Sequence, residues 1–257
     1  MQLYSSRLLI KIGGNCLNNG DYDLIGKYLS DLYSLGVVLT IVHGGGPQID
    51  RIMEKRGIPL TNVNGLRAVP DRATLDAVIE GLREVNYGLV NAINQYAKED
   101  IAVGLTKERI ISAKKMAPVV DKETGKLVDL GFVGEVMDID IESVGDYLKK
   151  GKIPLLWCIG YGEKGERYNI NADMVGEAFA PNYSKYILLT SVGGYLEDGK
   201  IVEEMTLEQA KEHNATGGMS LKLDSIIRVL ETTNLDSVEI FSLDKGKGTI
   251  IKNSPKH

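Results

Sequence analysis

Two lysines lie at positions where a positive charge is unfavourable unless an anion binds to it. Lys11 ends the apolar run 8–12 (LLIKI), immediately before Gly13 and Gly14. A buried strand rarely holds a lysine unless its ammonium reaches an anion, although a lysine extending to solvent at a strand edge is an alternative. Lys222 lies in TGGMSLK, near the predicted start of a helix, where a cation is unfavourable unless an anion binds there. The pair indicates a site for an anionic group such as phosphate.

Two glycine clusters follow the first two predicted strands. Gly13 and Gly14 come after the first strand, and residues 44–46 come after the second. Glycines at such turns let backbone N–H groups approach anionic oxygen atoms, helped by the positive end of the next helix. Tight strand-to-helix turns without a ligand are the alternative interpretation. Neither cluster fits the dinucleotide fingerprint G-x-G-x-x-G or the P-loop pattern, which disfavours both of those nucleotide folds.

A third polar group occupies the segment 168–173 (YNINAD). Asn169 and Asn171 alternate, so in an extended segment their side chains face the same way. Asp173 then caps or begins the helix that follows. Helix capping explains one such residue, but it does not explain three at alternating positions beside a predicted sheet edge.

Short apolar runs alternate with helical patterns along most of the chain. The sequence predicts strands over 8–12, 37–42, 153–159, 186–190, 238–241 and 249–251. It predicts helices through the apolar stripe 24–32, from Pro47 to Gly57, after Asp71, over 172–180 and over 221–230, with hairpins in the region 101–136. Such alternation is typical of an α/β fold, an open sheet with helices on both faces, and such sheets bind ligands at the carboxyl ends of their strands.

The composition narrows the class of protein. With 30 Lys and Arg against 35 Asp and Glu, the chain of 257 residues has a net charge of −5, so we expect no nucleic-acid partner. No apolar run approaches the roughly 20 residues of a membrane span, so we expect no membrane contact. Cys16 and Cys158 lack metal-type spacing and suggest no disulfide framework. We expect a cytoplasmic protein.

Six motifs in order, KIGGN, HGGGPQID, VNGLR, NINAD, ILLT and TGGMSLK, resemble those of the amino-acid kinase family. Within that family the motifs are most similar to those of the acetylglutamate kinases, and the resemblance extends from Lys11 to about Ile251. The resemblance implies a three-layer α-β-α sandwich with a mainly parallel central sheet. It implies one amino-acid kinase domain over 1–257, with a substrate lobe over about 1–165 and a nucleotide lobe over about 166–257; the soft boundary lies near 161–169.

The resemblance also implies an activity and roles for individual residues. It implies transfer of the γ-phosphoryl group of ATP to the side-chain carboxylate of N-acetyl-L-glutamate, giving an acyl phosphate in arginine biosynthesis. Mg²⁺ would be bound through the ATP phosphates, with no protein metal ligand. Lys11 and Lys222 would balance charge on the transferred group, and Asp173 would hold both lysines. The implied substrate-binding residues are Gly45, Gly46, Arg67 and Asn169, and the implied nucleotide-binding residues are Gly13, Gly14, Ser191, Gly194, Leu196 and Thr216.

Some segments depart from the family pattern. Ser191 stands where the acetylglutamate kinases carry aspartate, 104–109 (GLTKER) lacks a serine-glycine-aspartate pattern, and 241–248 is a short connection. A kinase of the same fold for another acid, such as a carrier-linked aminoadipate or glutamate, therefore remains an alternative. So does a non-catalytic regulatory domain that binds an amino acid. Pro47-Gln48-Ile49 argues against isopentenyl phosphate kinases, whose similar turn carries a histidine.

The resemblance bears on assembly as well. The hexameric, arginine-inhibited acetylglutamate kinases have an extra N-terminal helix, and only ten residues precede Lys11 here. We therefore expect a homodimer without arginine feedback. The long helix after Asp71 is the expected interface element.

Overall fold

The computed structural model describes residues 7–17 and 21–253. The strands of this part of the chain are β1 (Arg7–Ile12), β2 (Val38–His43), β3 (Asn62–Val63), β4 (Leu66–Arg67), β5 (Ala102–Leu105), β6 (Ile111–Lys115), β7 (Val119–Val120), β8 (Leu127–Val128), β9 (Gly134–Ile139), β10 (Ile153–Leu156), β11 (Ile159–Tyr161), β12 (Arg167–Asn169), β13 (Lys185–Leu189), β14 (Leu196–Glu197), β15 (Lys200–Ile201), β16 (Glu204–Thr206), β17 (Ser237–Ser242) and β18 (Lys247–Lys252).

The α-helices of the same residues are α1 (Asp21–Ser34), α2 (Gly46–Lys55), α3 (Arg72–Gln95), α4 (Ile141–Lys149), α5 (Ala172–Phe179), α6 (Leu207–Lys211) and α7 (Gly217–Thr232). Short 3₁₀ turns cover Gly14–Leu17 and Ala180–Asn182. Helix α2 has its predicted proline in the first turn, where the missing N–H costs nothing. The side chain of Asp71 caps α3 by accepting a hydrogen bond from the Thr74 N–H at 2.8 Å. None of these helices is both long and apolar enough to cross a membrane.

An eight-stranded sheet forms the centre of the molecule, in the order β16-β18-β17-β13-β1-β2-β10-β5. From β17 to β5 all neighbouring strands are parallel, whereas β18 runs antiparallel to β17 and parallel to β16. The predicted, mainly parallel sheet is confirmed. A smaller sheet in the order β12-β11-β6-β9 and three two-stranded hairpins (β3-β4, β7-β8 and β14-β15) complete the strands.

Alternation along β1 sends its side chains into two different core layers. Leu8, Ile10 and Ile12 belong to a buried cluster with residues of α1 and α3, such as Leu29. Leu9 belongs to the other cluster, which holds residues of α5 and α7 such as Val175, Phe179, Leu223 and Ile226. The three-layer α-β-α arrangement is thus confirmed. Because side chains on a strand alternate with a period of two, Lys11 lies on the face of Leu9, toward α5 and α7.

Three predicted elements differ in the structure. The single strand predicted over 153–159 is two strands, β10 in the central sheet and β11 in the smaller one; a continuous apolar run carries no signal of the break. Strand β5, expected among hairpins, is the parallel edge of the central sheet. Its Gly104 leaves the space that the Asn86 side chain occupies. Helix α7 begins at Gly217 rather than near Leu221, so Lys222 lies more than one turn inside it.

Candidate active site

The carboxyl ends of β1, β2 and β13 open into a cavity of about 910 Å³. The glycine turns after β1 and β2 form one wall, and the loop after β13 forms another. The start of α7 lies opposite them. All three predicted catalytic residues and all six predicted nucleotide-binding residues line this cavity: Lys11, Asp173 and Lys222, and Gly13, Gly14, Ser191, Gly194, Leu196 and Thr216.

Lys11, Asp173 and Lys222 meet at the floor of this cavity. Lys11 Nζ donates a hydrogen bond to Asp173 Oδ1 at 2.6 Å, and Lys222 Nζ lies 4.0 Å from Asp173 Oδ2. Lys11 is only 3% exposed and Asp173 only 7%. Asp173 is at the first turn of α5, and its N–H donates to the side chain of Asn171, the residue that caps this helix, at 2.8 Å. One carboxylate thus lies between two ammonium groups, leaving a net positive charge that faces the cavity.

Burial and the neighbouring charges together shift the pKa values of Asp173 and Lys222. Burial raises the pKa of Asp173, but the positive charges of Lys11 and Lys222 outweigh this and hold its pKa below the ordinary value. Burial lowers the pKa of Lys222, and repulsion by Lys11 lowers it further. Asp173 is therefore ionised at neutral pH. Lys222 releases its proton more readily than an ordinary lysine.

Contacts between α5 and α7 hold Lys222 near Asp173. The guanidinium of Arg228 donates to both carboxylate oxygens of Glu177, with Nε 2.9 Å from Oε1 and Nη2 2.9 Å from Oε2. Ser225 Oγ lies 3.3 Å from the Asp173 carbonyl oxygen and 3.3 Å from Glu177 Oε2. Asp173 and Glu177 are one turn apart on α5, so these contacts fix the rotation of α7 that directs Lys222 inward. The sequence analysis did not find this clamp.

A second cavity of about 180 Å³ adjoins the first, and both are lined by residues 44–46. The predicted substrate-binding residues line it together: Gly45, Gly46, Arg67 and Asn169. The guanidinium of Arg67 forms an ion pair with Asp50 of α2, and its Nη1 lies 3.3 Å from the sulfur of Met53. Asp50 was missed in the sequence, although it stands only four residues after Gly46 in the same motif.

The hairpin of β3 and β4 stands between this small cavity and α7. Its turn residues Asn64 and Gly65 have positive φ angles of 52° and 82°, as in the type I′ turns that an Asn-Gly pair favours. Asn64 is tied to the β7-β8 hairpin, because its Nδ2 donates to the Val120 carbonyl at 2.8 Å and its Oδ1 accepts from the Lys122 N–H at 3.0 Å. A Cβ on Gly65 would lie 2.6 Å from the tip of the Leu221 side chain, and glycine adopts the positive φ of 82° without strain. The Asn64-Gly65 pair is a local sequence signal for this hairpin.

Asn171 lies at the junction of the two cavities, because it lines both of them. The sequence analysis noted it beside Asn169 without assigning it a role. Its side chain caps α5, while Asn169 lies at the end of β12 and faces the small cavity. The alternation of the two asparagines therefore corresponds to two different tasks.

Comparison with known proteins places the chain among its relatives. The profile of the amino acid kinase family matches residues 6–242. An acetylglutamate kinase of Vesicomyosocius okutanii is 37% identical over 95% of this chain and 85% of its own length. An acetylglutamate kinase of Caulobacter vibrioides is 36% identical over 98% of this chain and 92% of its own.

Among solved structures, N-acetylglutamate synthase from Neisseria gonorrhoeae, complexed with coenzyme A and L-arginine, superposes with a TM-score of 0.83. The match covers 96% of this chain and 61% of that one at 19% identity, so it speaks for the fold alone. The family profile and the two kinases cover nearly the whole sequence. The chain belongs to the amino acid kinase family.

Proposed function

We propose that this protein transfers the γ-phosphoryl group of ATP to the side-chain carboxylate of N-acetyl-L-glutamate, the phosphorylation step of arginine biosynthesis. The observation that carries the proposal is the Lys11–Asp173–Lys222 cluster on the floor of the large cavity, beside the glycine turn that the large and small cavities share. The acetylglutamate kinases of two bacteria, at 36% and 37% identity, support the choice of acceptor.

The charges of the cluster suit phosphoryl transfer to a carboxylate. A side-chain carboxylate is already ionised at neutral pH, so its oxygen attacks the γ-phosphorus without a general base. A bond from that oxygen to phosphorus forms while the bond from phosphorus to the bridging oxygen of ADP breaks. Both reactants are anions, and two ammonium groups offset their repulsion and the charge of the transferred group. Asp173 is proposed to hold the lysines in place rather than to accept a proton.

The large cavity is proposed to bind the nucleotide. Gly13 and Gly14 line it without side-chain bulk, and Lys222 projects from α7 toward the same space. In the described ranges 7–17 and 21–253, no three His, Cys, Asp or Glu side chains are grouped as metal ligands. Mg²⁺ is therefore proposed to be held by the ATP phosphates, where it would neutralise part of their charge.

The small cavity is proposed to bind the acidic substrate. The Arg67 side chain is only 11% exposed, and its ion pair with Asp50 fixes the orientation of the guanidinium. A guanidinium has five N–H donors, so it can bind a substrate carboxylate while keeping this partner. Gly45 and Gly46 would receive the reacting carboxylate at the junction with the large cavity, and Asn169 would bind a polar group of the same molecule.

We further propose two lobes, about 1–165 and 166–257, for the acid and the nucleotide, and a homodimer in the cytoplasm, where ATP is available. Tyr87 on α3 is 61% exposed, and exposed tyrosines on a long helix are typical of interfaces. Sedimentation of the purified protein should give the mass of two chains. A hexamer would contradict this assignment.

Trapping the product with hydroxylamine tests the proposed reaction. Purified protein with Mg-ATP and N-acetyl-L-glutamate should yield the hydroxamate, and unacetylated glutamate and aminoadipate should yield much less. A preference for one of those free acids or for a carrier-linked acid would replace the substrate while keeping the reaction. No hydroxamate from any acid, together with binding of an amino acid, would favour a regulatory domain.

A further inference from the structure

His43 is a fully buried polar residue at the end of β2, with 0% exposure. It directly precedes the glycine turn 44–46 that both cavities share. Its backbone carbonyl accepts a hydrogen bond from the Cys158 thiol at 3.1 Å. Burial raises the pKa of that thiol to about 12, so Cys158 remains a donor. A polar ring in such a place needs partners for both of its nitrogen atoms.

Both ring nitrogens of His43 have partners, and these partners define its tautomer. Nε2 lies 2.9 Å from Asn86 Nδ2, and the same Asn86 nitrogen lies 3.2 Å from the Leu155 carbonyl oxygen. A group facing a carbonyl must be a donor, so Asn86 presents its NH₂ and Nε2 accepts from it. Nδ1 lies 3.1 Å from the Gly44 carbonyl oxygen, so Nδ1 carries the proton and donates it there. Burial lowers the pKa of His43 to about 4, which keeps the ring neutral.

This hydrogen bond fixes the direction of the next N–H group. In a planar trans peptide the C=O and N–H point in opposite directions, so holding the Gly44 carbonyl toward His43 directs the Gly45 N–H away from it. The Gly44 N–H is itself held by the Ile12 carbonyl at 3.0 Å. Ile12 thus holds the peptide that joins His43 to Gly44, and His43 holds the peptide that joins Gly44 to Gly45.

The Gly45 and Gly46 N–H groups donate to no other group in the part of the chain described. Both nitrogen atoms lie next to Gly14, where a Cβ would be 3.3 Å from Gly45 N and 2.6 Å from Gly46 N. Two unused donors beside two glycine turns form a place for an anionic oxygen, close to Lys11 in the same cavity.

We propose that His43, with its tautomer set by Asn86, is a positioning residue that aims the Gly45 N–H at the reacting anionic oxygen. The inference rests on the proposed function, because the oxygen belongs to the substrate carboxylate or to the transferred phosphoryl group. His43 touches neither reactant and exchanges no proton with them. Its contribution is the fixed orientation of one peptide, which an amide group placed at Nδ1 could also supply.

The tautomer can be measured without any reaction. The chain has three histidines, so long-range ¹H–¹⁵N spectra of the imidazole rings at pH 7, assigned with a His43→Asn variant, isolate the signal of His43. We expect a neutral ring protonated at Nδ1, in the wild-type protein with or without ADP. A ring protonated at Nε2, or a charged ring, would overturn the inference and would leave the proposed reaction untouched.

Two substitutions separate positioning from packing. His43→Leu and His43→Asn both remove the contact with Asn86, but only the asparagine keeps an N–H donor near the Gly44 carbonyl. We expect His43→Leu to lower kcat about 10²-fold, the size of an effect on one oxyanion donor, and His43→Asn to lower it by less than about tenfold. The KM for ATP should change little in either. Equal losses of kcat in the two variants, or no loss in either, would overturn the inference.

If His43→Leu does not fold, the wild-type ring tautomer and the kcat of His43→Asn still test whether His43 is a positioning residue. A wild-type enzyme that forms no hydroxamate would count against the proposed function, whereas the ring tautomer would stand or fall by its own spectrum.

Discussion

The two lysines of the site are held by very different parts of the molecule. Lys11 belongs to β1, a central strand paired along its length with β2 and β13, and its ammonium is hydrogen-bonded to Asp173 at 2.6 Å. Lys222 belongs to α7, lies 4.0 Å from the same carboxylate, and also donates to the Gly218 carbonyl at 3.2 Å. Its side chain is 18% exposed, against 4% for Lys11.

Because of this difference, we expect Lys11 to contribute to both stability and catalysis and Lys222 mainly to catalysis. Lys11 compensates a buried carboxylate, so the fold depends on it as much as the reaction does. Lys222 is held by side-chain contacts between two helices, and its lowered pKa means that the folded protein disfavours its charge. A ligand phosphate would supply the counter-charge that the protein lacks there. The strand thus provides a fixed charge, and under the proposed function the helix provides one that a bound nucleotide would balance.

Replacing Lys11 by methionine should have the largest effect. The change leaves Asp173 buried without its closest partner, which we expect to cost about 3–5 kcal/mol of unfolding free energy in denaturant titrations. Activity in the hydroxamate assay should fall by at least about 10³-fold. Lys27→Met is the matched control, since its ion pair with Asp31 is exposed and should contribute less than about 1 kcal/mol. A Lys11→Met protein as stable as its parent would break the comparison.

Replacing Lys222 by alanine should separate the two functions. We expect kcat to fall about 10²–10³-fold, because one of the two ammonium groups at the transferred phosphoryl group is lost. The unfolding free energy should stay within about 1 kcal/mol of the parent, since the folded state disfavours this charge. Lys211→Ala on α6 is the control, an exposed lysine paired with Glu231. Activity that survives the loss of Lys222 would exclude its catalytic role.

Replacing Arg228 by glutamine tests whether the α5–α7 clamp sets the position of Lys222. The Arg228–Glu177 ion pair should be lost, and we expect kcat to fall about tenfold through misplacement of Lys222, with the KM for the acid unchanged. Arg51→Gln breaks the exposed Arg51–Glu84 pair between α2 and α3 and should leave kcat as it is. Equal kcat values for the two variants would show that the clamp does not position Lys222.

The pH dependence gives the smallest of these effects. Burial and Lys11 lower the pKa of Lys222, so it loses its proton as the pH rises through a value below that of an ordinary lysine, and kcat should decline over that range. In Lys222→Arg the guanidinium remains charged, and the decline should shift upward by about one pH unit or more. A decline at the same pH in both proteins would assign it to another group.

The sequence was most informative where the chain is locally simple. Lys11 could be placed correctly because a strand of period two and a following glycine turn determine its face and its depth. The helix after Asp71 was equally direct, because helix periodicity is a local property. The remaining site residues were predicted from the family motifs, and they line the two cavities.

The features that sequence reasoning missed depend on contacts distant in the chain. Three such pairs join elements that no local pattern relates: Arg67 with Asp50, Arg228 with Glu177, and His43 with Asn86. The start of α7 was placed too late because its first residues include two glycines, which weaken a helical signal. The change of sheet between β10 and β11 leaves no mark in an unbroken apolar run.

The transfer of oxygen from the acceptor to phosphate tests the central claim most directly. N-acetyl-L-glutamate labelled with ¹⁸O only in its side-chain carboxylate would be incubated with the enzyme, Mg-ATP and hydroxylamine, and the released phosphate analysed by ³¹P NMR. The proposed attack of that carboxylate on the γ-phosphorus predicts one ¹⁸O in each phosphate released. Phosphate without ¹⁸O, formed at the rate of ADP, would show that water is the acceptor and would contradict the account.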